Sequence, residues 1–273
     1  MIIYRVDDHL PQCINGPVSG RNSRRDCVDH AGDVTITVAS MNLHCGVSGR
    51  GRPYDVAAAI KRLDAPLIAL QETWSDGSGP DPVAAAAEDL GAELFRVPLL
   101  EPVSLARLSI PGESAPGRLG MAVLTTLPVT GYEVLDLGRM RGDFVRRCAQ
   151  ILTLELPGHD TMRLAATHLT HRLVSAIQLA RLVRHLSERP VPTVIAGDLN
   201  MPRVLAAGTP GYTPTVRGRS YPADLPMLQL DHILAGRGLA GLGGSVLPAA
   251  GSDHLPVRAR LRLTAPNRAN AAY

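Results

Sequence analysis

The sequence predicts a mixed α/β (α+β) domain in which two packed β-sheets are flanked by helices. Strand-like segments follow one another directly, with only a few helical segments between them, which suits two packed sheets better than one doubly wound parallel sheet. No GxGxxG or GxxxxGK[ST] pattern follows a strand-like segment, so dinucleotide and P-loop folds lose support. The chain has 273 residues, enough for one domain with a large core.

The elements follow in order. Residues 1–33 are polar, with Gly16, Pro17, Gly20 and the run Arg24-Arg25-Asp26, and read as an irregular arm. Val34–Ser40 alternates and is β-branched, which predicts the first strand. Tyr54–Leu63 carries Val56, Ile60 and Leu63 on one helical face, and Pro66–Leu70 is a short apolar strand ending at Gln71-Glu72. Pro82–Leu90 is an alanine-rich helix, and Pro98–Gly117, rich in proline and serine, reads as a long surface loop. Met121–Thr125, Val129–Leu137, Arg147–Glu155 and Met162–Thr167 read as successive strands. Leu173–Ser187 is an amphipathic helix whose apolar row is Leu173, Ile177, Ala180 and Val183. A strand over Pro192–Ala196 runs into Gly197-Asp198-Leu199-Asn200. Met201–Met227 is loop-rich, and strands follow at Leu230–Ala235 and Pro256–Leu263. In the last strand Val257, Ala259, Leu261 and Leu263 alternate with Arg258, Arg260 and Arg262, so one face is buried and the other wet. The domain therefore spans 34–264, and 265–273 is a frayed tail.

Composition is that of a soluble globular protein with few aromatics. The net charge of +3 is too small to demand a nucleic-acid partner. Lys61 is the single lysine, so the basic side chains are almost all arginine, which reflects a GC-rich genome more than a design for phosphate, although arginine suits phosphate geometry. Cys13, Cys27, Cys45 and Cys148 form no CxxC pair, which argues against a zinc or thioredoxin-like site. Cys13 and Cys27 could bridge in an exported protein; free thiols in a reducing cytoplasm are the favoured reading. No apolar run approaches the roughly 20 residues of a membrane span, and Met1–Asp8 lacks a signal-peptide pattern. A cytoplasmic monomer is expected.

The strand ends carry the chemistry. Ser40-Met41-Asn42-Leu43-His44, Leu70-Gln71-Glu72-Thr73, Ala166-Thr167-His168-Leu169, Gly197-Asp198-Leu199-Asn200, Leu230-Asp231-His232-Ile233 and Gly251-Ser252-Asp253-His254-Leu255-Pro256 each place an amide, carboxylate or imidazole beside an apolar stretch. One such residue is usually a turn or cap residue. Together, at the ends of strands in packed sheets, they can converge on one edge. Glu72 and Asp253 offer hard anionic oxygens, and Asn42 and Asn200 offer neutral carbonyl oxygens, a set that suits magnesium. Such an ion orients a phosphate and neutralises charge developing on it. The histidines offer proton transfer near neutral pH.

The ordered set Asn42 in SMNLH, Glu72 in LQET, His168 in THL, Asp198 and Asn200 in GDLN, Asp231 in LDHI and Asp253-His254 in SDHLP resembles the endonuclease/exonuclease/phosphatase superfamily, over about Val34 to Leu263. The resemblance implies a DNase I-like, four-layer sandwich with its site at one edge of two packed sheets. It also implies a Mg²⁺- or Mn²⁺-dependent phosphoesterase. Transferred to this chain, Glu72 is the principal metal ligand, with Asn42 and Asp253 close to the metal or its waters. Asp231 pairs with His254, fixing its tautomer. Asp198 orients or deprotonates the attacking water, Asn200 holds a phosphate oxygen, and His168 faces the phosphate as donor or acid. Asp198 and His254 both remain candidates for the base. Members of the DNase I type pair an acid with the histidine matching His168, and the motifs here supply none. His44 and His171 lie beside motif positions, either shaping the pocket or serving as solvent-facing structural residues, and His232 follows Asp231 at a position that varies in the family.

A compact phosphodiesterase or phosphatase acting on a small molecule, nucleotide or lipid headgroup is the favoured reading. A nuclease is the alternative, for which Arg139, Arg141, Arg146, Arg147, Arg217 and Arg219 are the candidate phosphate contacts. The loop before Asp231 is short for a duplex clamp and has few aromatics for stacking. A non-catalytic binding module that kept the fold is the third reading, and the intact set of Glu72, Asp198, Asn200, Asp253 and His254 argues against it.

Overall fold

The central strands are apolar at nearly every position because both of their faces are covered. The structure is a computed structural model that describes residues 3–4, 34–112, 116–140, 143–156, 158, 161–171 and 174–264. Its elements, in chain order, are β1 (Ile3–Tyr4), β2 (Thr35–Asn42), α1 (Val56–Lys61), β3 (Leu67–Ser75), α2 (Pro82–Leu90), β4 (Glu93–Val103), β5 (Gly117–Thr125), β6 (Val129–Gly138), β7 (Arg147–Glu155), β8 (Thr161–His168), α3 (Ser175–Ser187), β9 (Thr193–Asp198), α4 (Arg203–Ala207), β10 (Tyr212–Pro214), β11 (Asp231–Gly236), β12 (Leu239–Val246) and β13 (Val257–Leu263). One sheet has the order β1-β6-β7-β8-β9-β11-β10 and the other β12-β13-β2-β3-β5-β4.

Alternation sorts each strand's residues between two cores. Val38, Leu67, Leu164, Ala196, Ile233 and Ala259 pack between the sheets. Their neighbours Ala39, Ile68 and Leu70 turn outward under α1 and α2, while Ala165, Ile195 and Leu234 turn outward under α3 and α4. The result is the expected four-layer sandwich of two mixed sheets. Each sheet contains one parallel pair, β2·β3 and β8·β9, and α1 and α3 are their respective crossovers. The C-terminal ends of these strands open on one edge, where ligands of parallel strands are bound.

Local chemistry fixes the helix ends. The Asp55 carboxylate accepts from Ala58 N at the start of α1, and Asp81 accepts from Val83 N and Ala84 N, with Pro82 in the first turn of α2. Val257, Ala259 and Leu261 join the inter-sheet core, as their alternation predicts.

The structure corrects several elements. Pro98–Gly117 is not all loop, because β4 runs through Pro98 to Val103. β4 is an edge strand paired only with β5, so its prolines leave no ladder bond unmade on the outer side. The stretch Leu239–Val246 is a strand that its glycines concealed, again at an edge. Met201–Met227 contains α4 and β10. β3 continues to Ser75, so Glu72 sits within a strand rather than at its end.

The buried row of α3 is also displaced. Ser175, Gln178, Leu179, Leu182 and Leu186 face inward, whereas Ile177 is 50% exposed. Gln178 is inside because its amide is satisfied: Oε1 accepts from Thr170 N at 2.9 Å, and Nε2 donates to Gly138 O at 3.3 Å. Leu173 lies outside the described residues, as do Cys13, Cys27, Arg141, the arm except Ile3–Tyr4, and the tail. Cys45 and Cys148 are buried free thiols. No helix among the described residues is long and apolar enough to cross a membrane.

Candidate active site

Asp198 is the last residue of β9 and is fully buried. In the parallel pair with β8 its register partner is His168, and in the antiparallel pair with β11 it is Asp231. Three neighbouring strands thus deliver a histidine and two acids to one line. The second sheet contributes from across the core: Asn42, at the end of β2, donates through Nδ2 to Asp198 Oδ2 and to Glu72 Oε1, each at 3.2 Å.

Glu72 reaches this point through a β-bulge. The β3·β5 register shifts between Leu70 and Thr73, and Glu72 has a φ of 50°. A bulge re-aims the side chain that an unbroken pleat would turn elsewhere. Backbone strain of this kind gathers at sites of function. Asn200, with a φ of 51°, follows the same logic.

The segment before β13 closes the ring. Ser252 Oγ donates to the backbone carbonyl of Asn42 at 2.7 Å, and His254 N donates to Ser252 Oγ at 3.2 Å. His254 Nδ1 lies 2.8 Å from Asp231 Oδ2, and its Nε2 lies 3.8 Å from Asp198 Oδ2. A carboxylate only accepts, so Nδ1 carries a proton. Burial disfavours the charged imidazole of His254, but the carboxylates of Asp231, Asp198 and Asp253 overcome this and push its pKa up to about 10. Asp198 is itself raised, by burial first and by the charge of Asp231, with His254 opposing. Asp253 is raised by burial and by Glu72, against His254 and His44.

His168 differs from the expectation. Its Nε2 lies 3.1 Å from Asn200 Nδ2, which also donates to Leu169 O at 2.9 Å. Turning the amide over would set its oxygen against that carbonyl, so Nδ2 is the donor and Nε2 of His168 accepts. Burial, with the Arg147, His171 and His254 charges, holds the His168 pKa well below its ordinary value. This histidine is neutral here rather than a cationic donor, and no acid is paired with it at hydrogen-bonding distance among the described residues.

The flanking histidines separate. His44 donates from Nδ1 to Val47 O at 3.0 Å and turns Nε2 to within 3.6 Å of Asp253 Oδ2, so it joins the site. His232 is buried and bonds Met201 O at 2.9 Å, a local structural role. His171 is exposed at the mouth; burial and Arg147 lower its pKa while Glu72 opposes them. Sequence reading passed over Ser252, although it immediately precedes Asp253, and Tyr221, whose ring centroid is 4.7 Å from that of His254.

Two donor groups face the cleft. Glu72, Asp253 and Asn42 form one. Asp198, Asp231 and His254 form the other, with a ligand atom of each within 4.8 Å of those of the other two. In the second group His254 Nδ1 is bonded to Asp231 Oδ2, and Asp231 Oδ1 is buried without a hydrogen-bond partner among the described residues. The first sets two acids at a partly buried site, where Asp253 is raised chiefly by burial, and its hard oxygens are of the kind that a hard cation takes.

Residues 39–254 match the profile of the Endonuclease/Exonuclease/phosphatase family. No curated protein matches the chain in sequence. Among solved structures, an endonuclease/exonuclease/phosphatase from Beutenbergia cavernae superposes with a TM-score of 0.68 at 24% identity, over 84% of this chain and 72% of that one. The human Nocturnin catalytic domain, solved with a bound sulfate anion, gives 0.64 at 18% identity, over 84% and 94%. Truncated Caenorhabditis elegans TDP2 gives 0.57 at 15% identity, over 83% and 97%.

Proposed function

This chain belongs to the endonuclease/exonuclease/phosphatase family, whose members are generally phosphoester hydrolases that use a divalent metal, and from that premise we propose that it hydrolyses a phosphoester by water attack. The observation that carries the reading is the convergence on Asp198: Asn42 from one sheet, His168 and Asp231 from the other, and His254 from the loop before β13. A buried carboxylate needs partners, and those given to Asp198 include the imidazoles that proton transfer uses.

Glu72 and Asp253, with the free lone pair of Asn42 Oδ1, would hold Mg²⁺ or Mn²⁺. When bound, the ion supplies charge neutralisation at the phosphoryl oxygens. The protein's own groups do the rest. Asp198 takes up the proton of the attacking water, with the His254 imidazolium 3.8 Å away. Asp231 holds His254 in the tautomer that turns Nε2 toward Asp198. The positive imidazole of His254 and the amide of Asn200 stabilise the charge that builds on the phosphoryl oxygens. Asn200 releases its bond to His168 to do so.

A small phosphoester is the favoured substrate class: a nucleotide, lipid headgroup or similar diester. Of the arginines offered for duplex contact, Arg147 is buried against Asp143, with Nε 2.9 Å from Oδ2, and Arg146 is paired with Asp136 through Nε at 2.9 Å. Arg147 is thus withheld from a backbone, while Arg146 is paired but 63% exposed, and Arg139, Arg217 and Arg219 are exposed. Turnover of bis-p-nitrophenyl phosphate with Mg²⁺, compared with Glu72→Ala and His254→Ala, tests the reading, and undiminished activity in both variants overturns it. Salt-sensitive cleavage of plasmid DNA that outpaces the small diester would move the substrate to nucleic acid.

A further inference from the structure

A hydrogen bond at one atom fixes where an imidazole sits but leaves it free to turn. His254 is anchored through Nδ1 to Asp231 Oδ2. Rotation about Cβ–Cγ would strain or break that single hydrogen bond and swing Nε2 away from Asp198. The ring of Tyr221 stands in the way, 4.7 Å from the imidazole centroid with the planes tilted by 43°.

Tyr221 is itself held rigidly. Its backbone N donates to Leu228 O at 3.0 Å, and its carbonyl accepts from Met227 N at 2.9 Å and Leu228 N at 2.8 Å. The preceding Ser220 is fully buried. Its Oγ accepts from Leu230 N and Asp231 N, each at 3.2 Å, and its carbonyl accepts from Leu255 N at 2.7 Å. Ala223 N donates to Asp253 O at 2.7 Å. One short segment is thus tied both to the acid that anchors His254 and to the loop that carries it. An aromatic face also suits a cationic ring.

We propose that Tyr221 is a positioning residue of this site: its ring blocks rotation of the His254 imidazole, keeps Nε2 directed at Asp198, and forms the cleft wall on that side. The proposal rests on the reading above only in taking His254 as the group whose orientation matters to turnover. Polar reactivity of the phenol plays no part in it; the aromatic face does.

Two readouts test it. In substrate-free protein, the His254 Nδ1–H resonance in ¹⁵N-edited NMR is sharp in the wild type, broadened by exchange in Tyr221→Leu, and restored in Tyr221→Phe. In steady-state kinetics with bis-p-nitrophenyl phosphate, Tyr221→Leu lowers kcat about tenfold with KM nearly unchanged, the scale of a slightly misplaced catalytic group. Tyr221→Phe recovers most of the loss, and Tyr221→Leu costs nothing further in a His254→Ala background. Tyr221→Met serves in its place should the leucine variant unfold. An unaltered His254 resonance in the aliphatic variant, or an equal loss of kcat with and without His254, overturns the proposal. If the wild type hydrolyses no phosphoester at all, the proposed function fails while the resonance still decides for or against Tyr221.

Discussion

Asp198 and Asp231 lie directly opposite each other across β9·β11, and both turn a carboxylate oxygen to the His254 imidazole. Two buried acids share one cation. Asp231 Oδ2 is bonded to His254 Nδ1, while Asp231 Oδ1 has no hydrogen-bond partner among the described residues. The Asp231 side chain is thus turned to that imidazole through one oxygen. Replacing it removes the charge that keeps His254 oriented and protonated at Nδ1. Asp231→Asn is expected to lower kcat by about 10²-fold or more, the range of an impaired acid–base group. Initial rates with a small diester check this, and a kcat within twofold of wild type would refute the assignment of His254 to proton handling.

Metal binding is expected to stabilise the fold. Glu72 is held on a bulge at a positive φ, and Asp253 is raised chiefly by burial, so a bound cation would offset the cost of ionising it. A ligand that binds only the native state adds RT ln(1 + [L]/Kd), about 2.7 kcal/mol at a hundredfold excess over Kd. Mg²⁺ or Mn²⁺ should thus raise Tm, and chelation with EDTA should reverse the rise. Glu72→Gln should shrink the shift and raise the metal concentration needed for half-maximal turnover. Equal metal-induced shifts in both proteins would remove Glu72 from the ligand set.

Below the site, Asp143 joins Arg147 to Thr170, two residues beyond His168. Arg147 Nε donates to Asp143 Oδ2 at 2.9 Å, and Thr170 Oγ1 donates to the same oxygen at 2.7 Å. Burial works against ionisation of Asp143, but the bond and charge of Arg147, with Thr170 and Val145 N, outweigh it and leave its pKa below the ordinary carboxylate value. A depressed carboxyl contributes stability that is complete above its unfolded pKa of about 3.9 and is lost as pH falls through the folded value. Asp143→Ala should cost about 3 kcal/mol at neutral pH, as breaking a buried pair does. The deficit should narrow as pH falls below about 4. Urea unfolding of both proteins across that range measures it, and a deficit independent of pH would show that the charge is not the stabilising element.

Much of this was legible beforehand, for identifiable reasons. Strands such as β2, β9 and β13 declare themselves because burial on one or both faces writes a pattern into their residues. β4 and β12 did not, because they are edge strands: β4 can carry Pro98 and Pro102, and β12 can carry Gly241, Gly243 and Gly244, without breaking a ladder on both sides. The face of α3 was misread because Gln178 is buried for its hydrogen bonds, which hydropathy does not register. Within the site, the polar residues at apolar strand ends were readable, and so was the Asp231–His254 pairing. The bulge at Glu72, the neutral state of His168 and the Tyr221 wall depend on contacts between segments far apart in the chain. No local pattern encodes them.

The glycine of Gly197-Asp198-Leu199-Asn200 has its own test. Gly197 has a φ of 149°, and it pairs with Thr167 in the parallel register that also aligns His168 with Asp198. A Cβ built there would stand 1.8 Å from the Thr167 carbonyl oxygen, far inside contact distance. That neighbour is backbone and cannot swing aside, since Thr167 is buried and its Oγ1 donates to Cys148 O at 2.8 Å. Gly197→Ala must therefore push β8 and β9 apart next to the active residues, besides forcing a conformation that residues with a Cβ avoid. We expect a loss of about 3 kcal/mol or more in stability. In whatever folded fraction remains, kcat should fall as well, because displacing Thr167 carries His168 away from Asp198 and Asn200. Thermal unfolding and active-site titration of the soluble fraction separate the two effects. An alanine variant with wild-type Tm would show that the close approach of these strands is not required by the fold.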